Sequence, residues 1–230
     1  MSPPVPHPPA EASASALFST VFGTCGIAWN RIGLTGFQLP EDTDTRPRHS
    51  LEAKTGIHPA SEEIPAGNVG EALRPDFAAV SPSGRGIELL PHGPEKRPAS
   101  ETAAPPLPPV WVRRVMERAQ EHFRGRLQDF ADIKLDWSRV SDFQRAVYEQ
   151  TRAIKPGFKR SYGEIAHALA LEPGGARAVG AALGANPWPL IVPCHRVVSA
   201  GGKMTGFSAP GGVRTKTRLL TLEGAELLSE

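Results

Sequence analysis

Cysteine is scarce in this chain of 230 residues, which contains only Cys25 and Cys194. The two lie far apart in the sequence, form no CxxC pair and leave no cysteine quartet that could hold a metal ion. Such sparse use of cysteine is typical of a reducing compartment, in which thiols stay free. We therefore expect two free thiols and no metal site.

Long apolar runs are also absent. No stretch approaches the ~20 apolar residues that a bilayer-spanning helix needs, and the opening "MSPPVPHPPAEASAS" has neither the basic nor the apolar region of a signal peptide. We therefore expect a cytoplasmic protein that does not enter a membrane.

The net charge of +2 is small, but it is unevenly distributed. Residues 151–230 carry ten Lys and Arg against five Glu, a net charge of +5, so residues 1–150 carry −3. A mildly basic C-terminal half suits a polyanionic partner such as DNA. An ordinary solvated surface explains the same bias equally well.

The N-terminal half shows a hairpin, a proline-rich interruption and a helix. "CGIAWN" and "GLTGFQLP" predict two strands joined through Asn30–Gly33, after a disordered tail over residues 1–16. Residues 41–109 hold twelve of the 24 prolines and one aromatic residue, so we interpret them as a disordered insertion. The next segment predicts a helix that ends near Gly125, with a stripe of apolar residues at helical spacing: Val112, Val115, Met116, Ala119 and Phe123.

The C-terminal half is predicted to be mainly helical. Ser141 is placed to cap a helix that carries Phe143 and Val147 on one face. "SYGE" is a capping box that opens a second helix, and "ARAVGAALGAN" follows after the turn "LEPGG". Two short helices joined by a glycine-containing turn form a helix-turn-helix candidate. A tightly packed pair of core helices would show the same pattern.

Cys194 lies in the segment "NPWPLIVPCHRVV", between a proline and a histidine. A thiol held rigidly beside an imidazole and a guanidinium could be a reactive thiolate. Most buried cysteines are inert small hydrophobic residues, and this segment alone does not separate the two interpretations.

Four stretches taken together resemble the methylated-DNA–protein-cysteine methyltransferases, the O6-alkylguanine-DNA alkyltransferase family. They are "SYGEIAHAL", "ARAVGAALGANPWPLIVPCHRVV", "GGKMTGFSAPGG" and "KTRLLTLEGA". The resemblance implies an α+β, ribonuclease-H-like N-terminal module over residues 17–140, interrupted by the insertion. A mainly α domain with a helix-turn-helix over residues 141–230 would carry the activity.

In that family a cysteine takes a methyl or larger alkyl group irreversibly from O6 of guanine, in a single turnover. The resemblance assigns this role to Cys194, with His195 acting as a base through a water molecule and Glu223 orienting the imidazole. Asn186 matches the asparagine that braces the turn. O4 of thymine is a further candidate substrate, and no cofactor is implied.

The same resemblance assigns residues to DNA, which is bound as a duplex through the minor groove by a monomer, with the target base flipped out. Arg177 would replace the extruded base, and Tyr162 would contact it. The remaining predicted contacts to DNA or to the base are Ala176, Gly180, Ala181, Arg196, the Val197 carbonyl, Phe207 and Ser208. Phe207 departs from relatives that carry tyrosine there, and Cys25 stands alone where some relatives hold zinc.

Three alternatives remain at this point. An alkyltransferase-like protein binds and flips damaged guanine but lacks the cysteine, so the presence of Cys194 argues against it. A regulator that senses methylation of its thiol would need a second DNA-binding domain. A cysteine hydrolase would need an oxyanion hole and an acyl pocket, and the sequence points to neither.

Overall fold

The computed structural model describes residues 14–40, 63–64, 107–202 and 206–225. Most of the predicted insertion at 41–109 and of the predicted tail at 1–16 therefore lies outside the described residues. Within the described part, no helix is both long enough and apolar enough to cross a membrane.

The N-terminal sheet has four strands in the order β3-β2-β1-β4. Strands β1 (Ala14–Thr20), β2 (Gly23–Trp29) and β3 (Leu34–Gln38) pair antiparallel, whereas β4 (Glu63–Ile64) runs parallel to β1. The predicted hairpin is confirmed. Its turn is closed by Asn30, whose Oδ1 accepts from the amides of Ile32 and Gly33 at 2.8 and 3.1 Å.

Two boundaries predicted from the sequence are wrong. The strand begins at Ala14, before the predicted start at Leu17, because Ala14 and Ser15 continue the pairing with β2 although their small side chains give no apolar pattern. The two residues of β4 lie inside the predicted disordered insertion, yet they pair with Leu17 and Phe18 of β1. A two-residue strand is too short to produce an alternating pattern in the sequence.

Helix α1 (Val110–Phe123) packs its apolar face against this sheet. The five residues of the predicted stripe are buried, which confirms the helical spacing. The same face buries two polar side chains, Gln120 and His122. Gln120 is bonded to the sheet, because its amide nitrogen donates to the Ser19 carbonyl at 2.9 Å. The helix ends before Gly125, as predicted, where the backbone turns to a φ of +87°.

Helix α2 (Asp142–Arg152) begins with the predicted cap at Ser141, which forms a capping box with Gln144. Phe143 and Val147 lie one turn apart on the predicted face, which runs from the surface, where Phe143 is 37% exposed, into the core, where Val147 is fully buried. The first turn of the helix lies at the edge of the core, and the buried side chains begin one turn later.

The next two helices pack against each other. Strand β5 (Arg160–Ser161) leads into α3 (Tyr162–Ala168), which starts with the predicted capping box of Ser161 and Glu164. After a turn follows α4 (Gly175–Gly184). A Cβ on Gly175 would lie 2.5 Å from the Leu171 Cβ, so only glycine fits this approach.

The remaining elements surround the cysteine segment. Strand β6 (Val197–Val198) pairs parallel with β5, and α5 (Gly212–Leu222) packs against the short 3-10 turn that begins at Cys194. The N- and C-terminal halves contribute to one hydrophobic core. Trp188 joins them directly, because its indole nitrogen donates to the Leu34 carbonyl at 2.9 Å.

Candidate functional site

Asn186 holds the turn that presents Cys194. Its Oδ1 accepts from the Trp188 amide at 2.9 Å, and its Nδ2 donates to the Val192 carbonyl at 2.9 Å. Nδ2 also lies 3.2 Å from the Cys194 sulfur. An amide that donates to sulfur favours the thiolate, which is the nucleophilic form of cysteine. The bracing role that the sequence predicts for Asn186 is therefore consistent with its contacts.

A buried carboxylate, Glu223, lies behind the cysteine segment. His195 Nε2 is 3.1 Å from Glu223 Oε1, and both side chains are almost completely buried. Arg196 donates to the same carboxylate through Nε, at 2.9 Å from Oε2, and through Nη2, at 2.7 Å from Oε1. The three residues thus form one buried, charge-assisted network.

The charge states follow from these contacts. Burial opposes ionisation of Glu223, but contacts from His122, His195 and Arg196 outweigh it and hold the pKa of Glu223 below its ordinary value. Burial lowers the pKa of His195, an effect that the Glu223 carboxylate only partly offsets. At neutral pH the carboxylate is therefore ionised and the imidazole is neutral.

This assignment fixes the tautomer of His195. Because Nε2 faces an ionised oxygen, it carries the ring proton, and Nδ1 keeps the lone pair. His195 Nδ1 is buried and makes no hydrogen bond to a protein group within the described ranges. It is the atom of this ring that can accept a proton.

Neither of two further buried side chains near these groups was identified from the sequence: His122 contacts the network, and Lys216 lies beside the cysteine segment. His122 of α1 places its Nε2 3.1 Å from Glu223 Oε1. Lys216 of α5 is buried and donates through Nζ to the Val197 carbonyl at 2.6 Å. One signal in the sequence marked His122: it follows Ala119 by three positions and Val115 by seven, a spacing that places it on the buried face of the helix. No comparable signal marks Lys216.

Lys216 also faces the reactive region. Its ammonium lies 5.7 Å from the centre of the Tyr162 ring, and it interacts electrostatically with Cys194. Burial lowers the pKa of Lys216, whereas the Cys194 sulfur opposes that shift. A carbonyl oxygen has two lone pairs, so the Val197 carbonyl can accept a second donor beside Lys216.

A cavity of about 540 Å³ opens beside Cys194, within the range of small-molecule sites. It brings together many of the residues predicted from the sequence. Those that line it are Tyr162, Ala176, Arg177, Gly180, Cys194, Phe207 and Ser208. The cavity separates α4 from the loop that begins at Gly206, so one wall is helical and the other is a loop.

Other predicted residues lie away from the cavity lining. Ala181 is exposed on α4. Arg196 is 3% exposed, and besides Glu223 its guanidinium binds the Ile154 carbonyl at 2.5 Å. The sequence predicted that Arg196 faces DNA. Its guanidinium instead points into the interior, because it binds Glu223 and the Ile154 carbonyl there. Arg177, by contrast, is exposed at the first turn of α4.

Cys25, the second cysteine, has a very different environment. It is fully buried in β2, and burial raises the pKa of its thiol well above the usual range, an effect that a contact with Thr20 reduces only in part. In the described residues, no group of three or more His, Cys, Asp or Glu side chains could hold a metal ion.

Comparisons with known proteins agree on one family. The family model "6-O-methylguanine DNA methyltransferase, DNA binding domain" matches residues 142–225. The chain is 49% identical over 108 residues to the methylated-DNA–protein-cysteine methyltransferase of Mycolicibacterium paratuberculosis. The matched segment covers 47% of this chain and 62% of that relative's length. It is 40% identical over 156 residues to the DNA base-flipping protein of Thermus thermophilus, covering 66% of this chain and 95% of that protein.

The fold leads to the same family. A crystal structure of Mycobacterium tuberculosis OGT in complex with DNA matches with a TM-score of 0.55 and 28% identity, over 91% of this chain and 92% of that one. The mixed α/β fold is therefore that of the OGT alkyltransferases. On these matches, the chain belongs to the methylated-DNA–protein-cysteine methyltransferase family.

Proposed function

We propose that the protein repairs DNA directly by transferring a methyl or other alkyl group from O6 of guanine to the Cys194 sulfur. One observation carries the proposal: Cys194 lines a cavity while its sulfur accepts from Asn186, directly in front of the buried His195–Glu223 pair. An inert core cysteine needs neither an amide donor nor a histidine whose tautomer is fixed by a carboxylate.

The reaction requires a thiolate and a place for its proton. In the proposed mechanism the Cys194 proton passes through a water molecule to His195 Nδ1, whose basicity is supported by Glu223. The sulfur then attacks the methyl carbon, so that the S–C bond forms as the C–O6 bond breaks. The electron pair of the broken bond passes to the guanine, which gains one proton, and the protein keeps a thioether.

The cavity would receive the flipped base. We propose that the Phe207 ring covers the base, that the Ser208 amide contacts O6 and that the Val197 carbonyl accepts from the exocyclic amine. Tyr162 stands opposite on α3 and would contact both the base and its phosphate. Lys216, whose Nζ donates to the Val197 carbonyl, would place a positive charge near the cysteine segment and so favour the thiolate.

DNA would bind along α4, as the second helix of a helix-turn-helix formed with α3. Its exposed surface is made of Ala and Gly apart from Arg177, so the backbone can approach a narrow minor groove closely. Exposed Ala176 and Ala181 would lie against the groove, and Arg177 would fill the gap left by the extruded base. We assign buried Arg196 to holding Glu223 and not to DNA.

The finer division of the chain follows from this function. We propose that residues 141–230 form the alkyltransferase and DNA-binding domain of a monomer, and that residues 17–140 form a degenerate ribonuclease-H-like module that supports it. The sheet and α1 of that module share the hydrophobic core of the C-terminal half, which supports a structural role.

The test is incubation with a duplex that contains one O6-methylguanine, followed by mass analysis of the tryptic peptides. Transfer predicts one added methyl group on the Cys194 peptide and unmodified guanine in the DNA. Binding of the duplex without any transfer would instead favour a base-flipping role like that named for the Thermus relative. A matched duplex with O4-methylthymine tests the second substrate.

A further inference from the structure

We propose that His122 is a positioning residue of the transfer reaction, contributed by the N-terminal helix α1 to the reactive network of the C-terminal half. The proposal rests on the proposed function. His122 lies outside the segment 142–225 that the family model matches, whereas its partner Glu223 lies inside it. Its Nε2 is 3.1 Å from Glu223 Oε1, and both side chains are fully buried.

The orientation of the His122 ring is determined by its surroundings. The Gln128 amide donates to Nδ1 at 3.1 Å, so Nδ1 carries the lone pair and Nε2 carries the proton. The Phe130 ring packs beside the imidazole, with the ring centres 5.5 Å apart. The segment that follows α1 therefore places the protonated Nε2 of His122 beside the carboxylate. The approach lacks the alignment of a regular hydrogen bond and acts as a close electrostatic contact.

Glu223 Oε1 is shared by three nitrogen atoms. They are Nε2 of His122, Nε2 of His195 and Nη2 of Arg196, at 3.1, 3.1 and 2.7 Å. Arg196 already holds both carboxylate oxygens through a bidentate pair. His122 adds a close contact to Oε1, the oxygen that faces His195 Nε2, so its loss should change the position and charge of that oxygen. A remote change that misplaces a reacting group by about 1 Å can lower the rate by roughly 100-fold.

Packing alone does not account for a histidine at this position. The neighbouring buried positions of α1 hold Val115, Met116, Ala119 and Phe123, and a leucine or phenylalanine would satisfy the same face. A buried imidazole is unfavourable unless its polar atoms find partners. The partners found here are a backbone amide and the carboxylate that orients the proposed base.

The experiment compares three variants of the full chain in single-turnover transfer from a duplex with one O6-methylguanine. His122→Leu keeps the bulk and removes the N–H. His122→Gln restores a donor, since its amide nitrogen is as many bonds from Cβ as Nε2 is. Val115→Ala is the control, because it removes buried volume from the same helix away from Glu223. Duplex affinity and the unfolding midpoint are measured for each.

We expect His122→Leu to transfer up to roughly 100-fold more slowly with unchanged duplex affinity. His122→Gln should recover most of the rate, and Val115→Ala should lose stability but keep the normal rate. A normal rate in folded His122→Leu, or equal slowing by Val115→Ala, would overturn the proposal. If His122→Leu does not fold, His122→Asn replaces it: its amide is one bond too short to reach Glu223, so transfer as fast as in His122→Gln overturns the proposal. Absence of transfer by the unmodified protein would instead overturn the proposed function.

Discussion

Replacement of Asn186 by alanine tests how the cysteine turn is built. The side chain is 5% exposed and joins three groups: the Trp188 amide, the Val192 carbonyl and the Cys194 sulfur. Truncation leaves the buried Trp188 amide without a partner, at a cost of ~1–3 kcal/mol, whereas the Val192 carbonyl still accepts from the Cys194 amide at 2.8 Å. We therefore expect the free energy of unfolding to fall by about 1–3 kcal/mol, a measurable part of the ~5–15 kcal/mol typical of a folded domain.

The same change should slow the reaction. A hydrogen bond to a charged group contributes ~1.5–3 kcal/mol, which corresponds to a loss of about 10- to 150-fold in the transfer rate if the bond is made in the reactive thiolate. The assay is single-turnover transfer at a temperature where denaturant titration shows the variant to be folded.

Gln120→Ala is the matched control, because it removes one buried amide–carbonyl bond in a region remote from the sulfur. It should lose stability and keep its rate. A folded Asn186→Ala protein that transfers at the normal rate would refute the role assigned to Asn186.

Four further predictions concern other parts of the chain. Arg177→Ala should slow transfer from duplex DNA far more than reaction with free O6-methylguanine, because unstacking costs a few kcal/mol only in the duplex; equal losses would indicate a structural role. Cys25→Ala should leave transfer intact, and a methyl group found on Cys25 would contradict the assignment of the nucleophile. Replacing residues 66–104 by a short Gly/Ser linker, which retains β4, should leave the rate unchanged, since the closure entropy of a connection changes by only ~0.6 kcal/mol per twofold change in its length; a folded but inactive protein would contradict this. The free energy of unfolding should decrease as the pH drops below 6.5, the ordinary pKa of His195, and again below 4.5, the ordinary pKa of Glu223. Folding lowers both pKa values, so the unfolded chain binds protons before the folded protein does. Glu223→Gln should reduce the loss of stability below pH 4.5 in urea titrations across pH but not abolish it, because folding also lowers the pKa values of Asp129, Asp132 and Asp136. An unchanged profile would contradict the assigned charge states.

Local sequence rules predicted the features that depend on neighbours in the chain. The cap at Ser141 and the capping box at Ser161 were predicted because each joins residues three positions apart, a spacing visible in the sequence. The second half of the box at Ser141, contributed by Gln144, was not identified. The stripe of α1 is likewise a local periodicity. Strand β4 was missed because its pairing with β1 joins distant residues, and two residues carry no periodic pattern.

The residues of the site divide in the same way, into those set by sequence neighbours and those set by distant contacts. The cysteine segment was recognised as a continuous motif, whereas His122 and Glu223 are 101 positions apart and meet only because α1 packs beside the end of α5. Arg196 shows the reverse problem: its place in the motif suggested DNA, but folding buries it against Glu223. A side chain's partner, and hence its role, depends on the tertiary structure whenever that partner is distant in the sequence.

The stoichiometry of methyl transfer tests the central claim most directly. Purified protein is mixed with an excess of duplex that carries O6-[³H-methyl]guanine, and the protein-bound label is counted over time and located by peptide mapping. A thioether is a poor leaving group, so the account predicts a plateau at one methyl group per protein, all of it on Cys194, and no label on a Cys194→Ser variant that still binds the duplex. Methyl release beyond one equivalent, or label on the protein that survives the Cys194→Ser change, would contradict it.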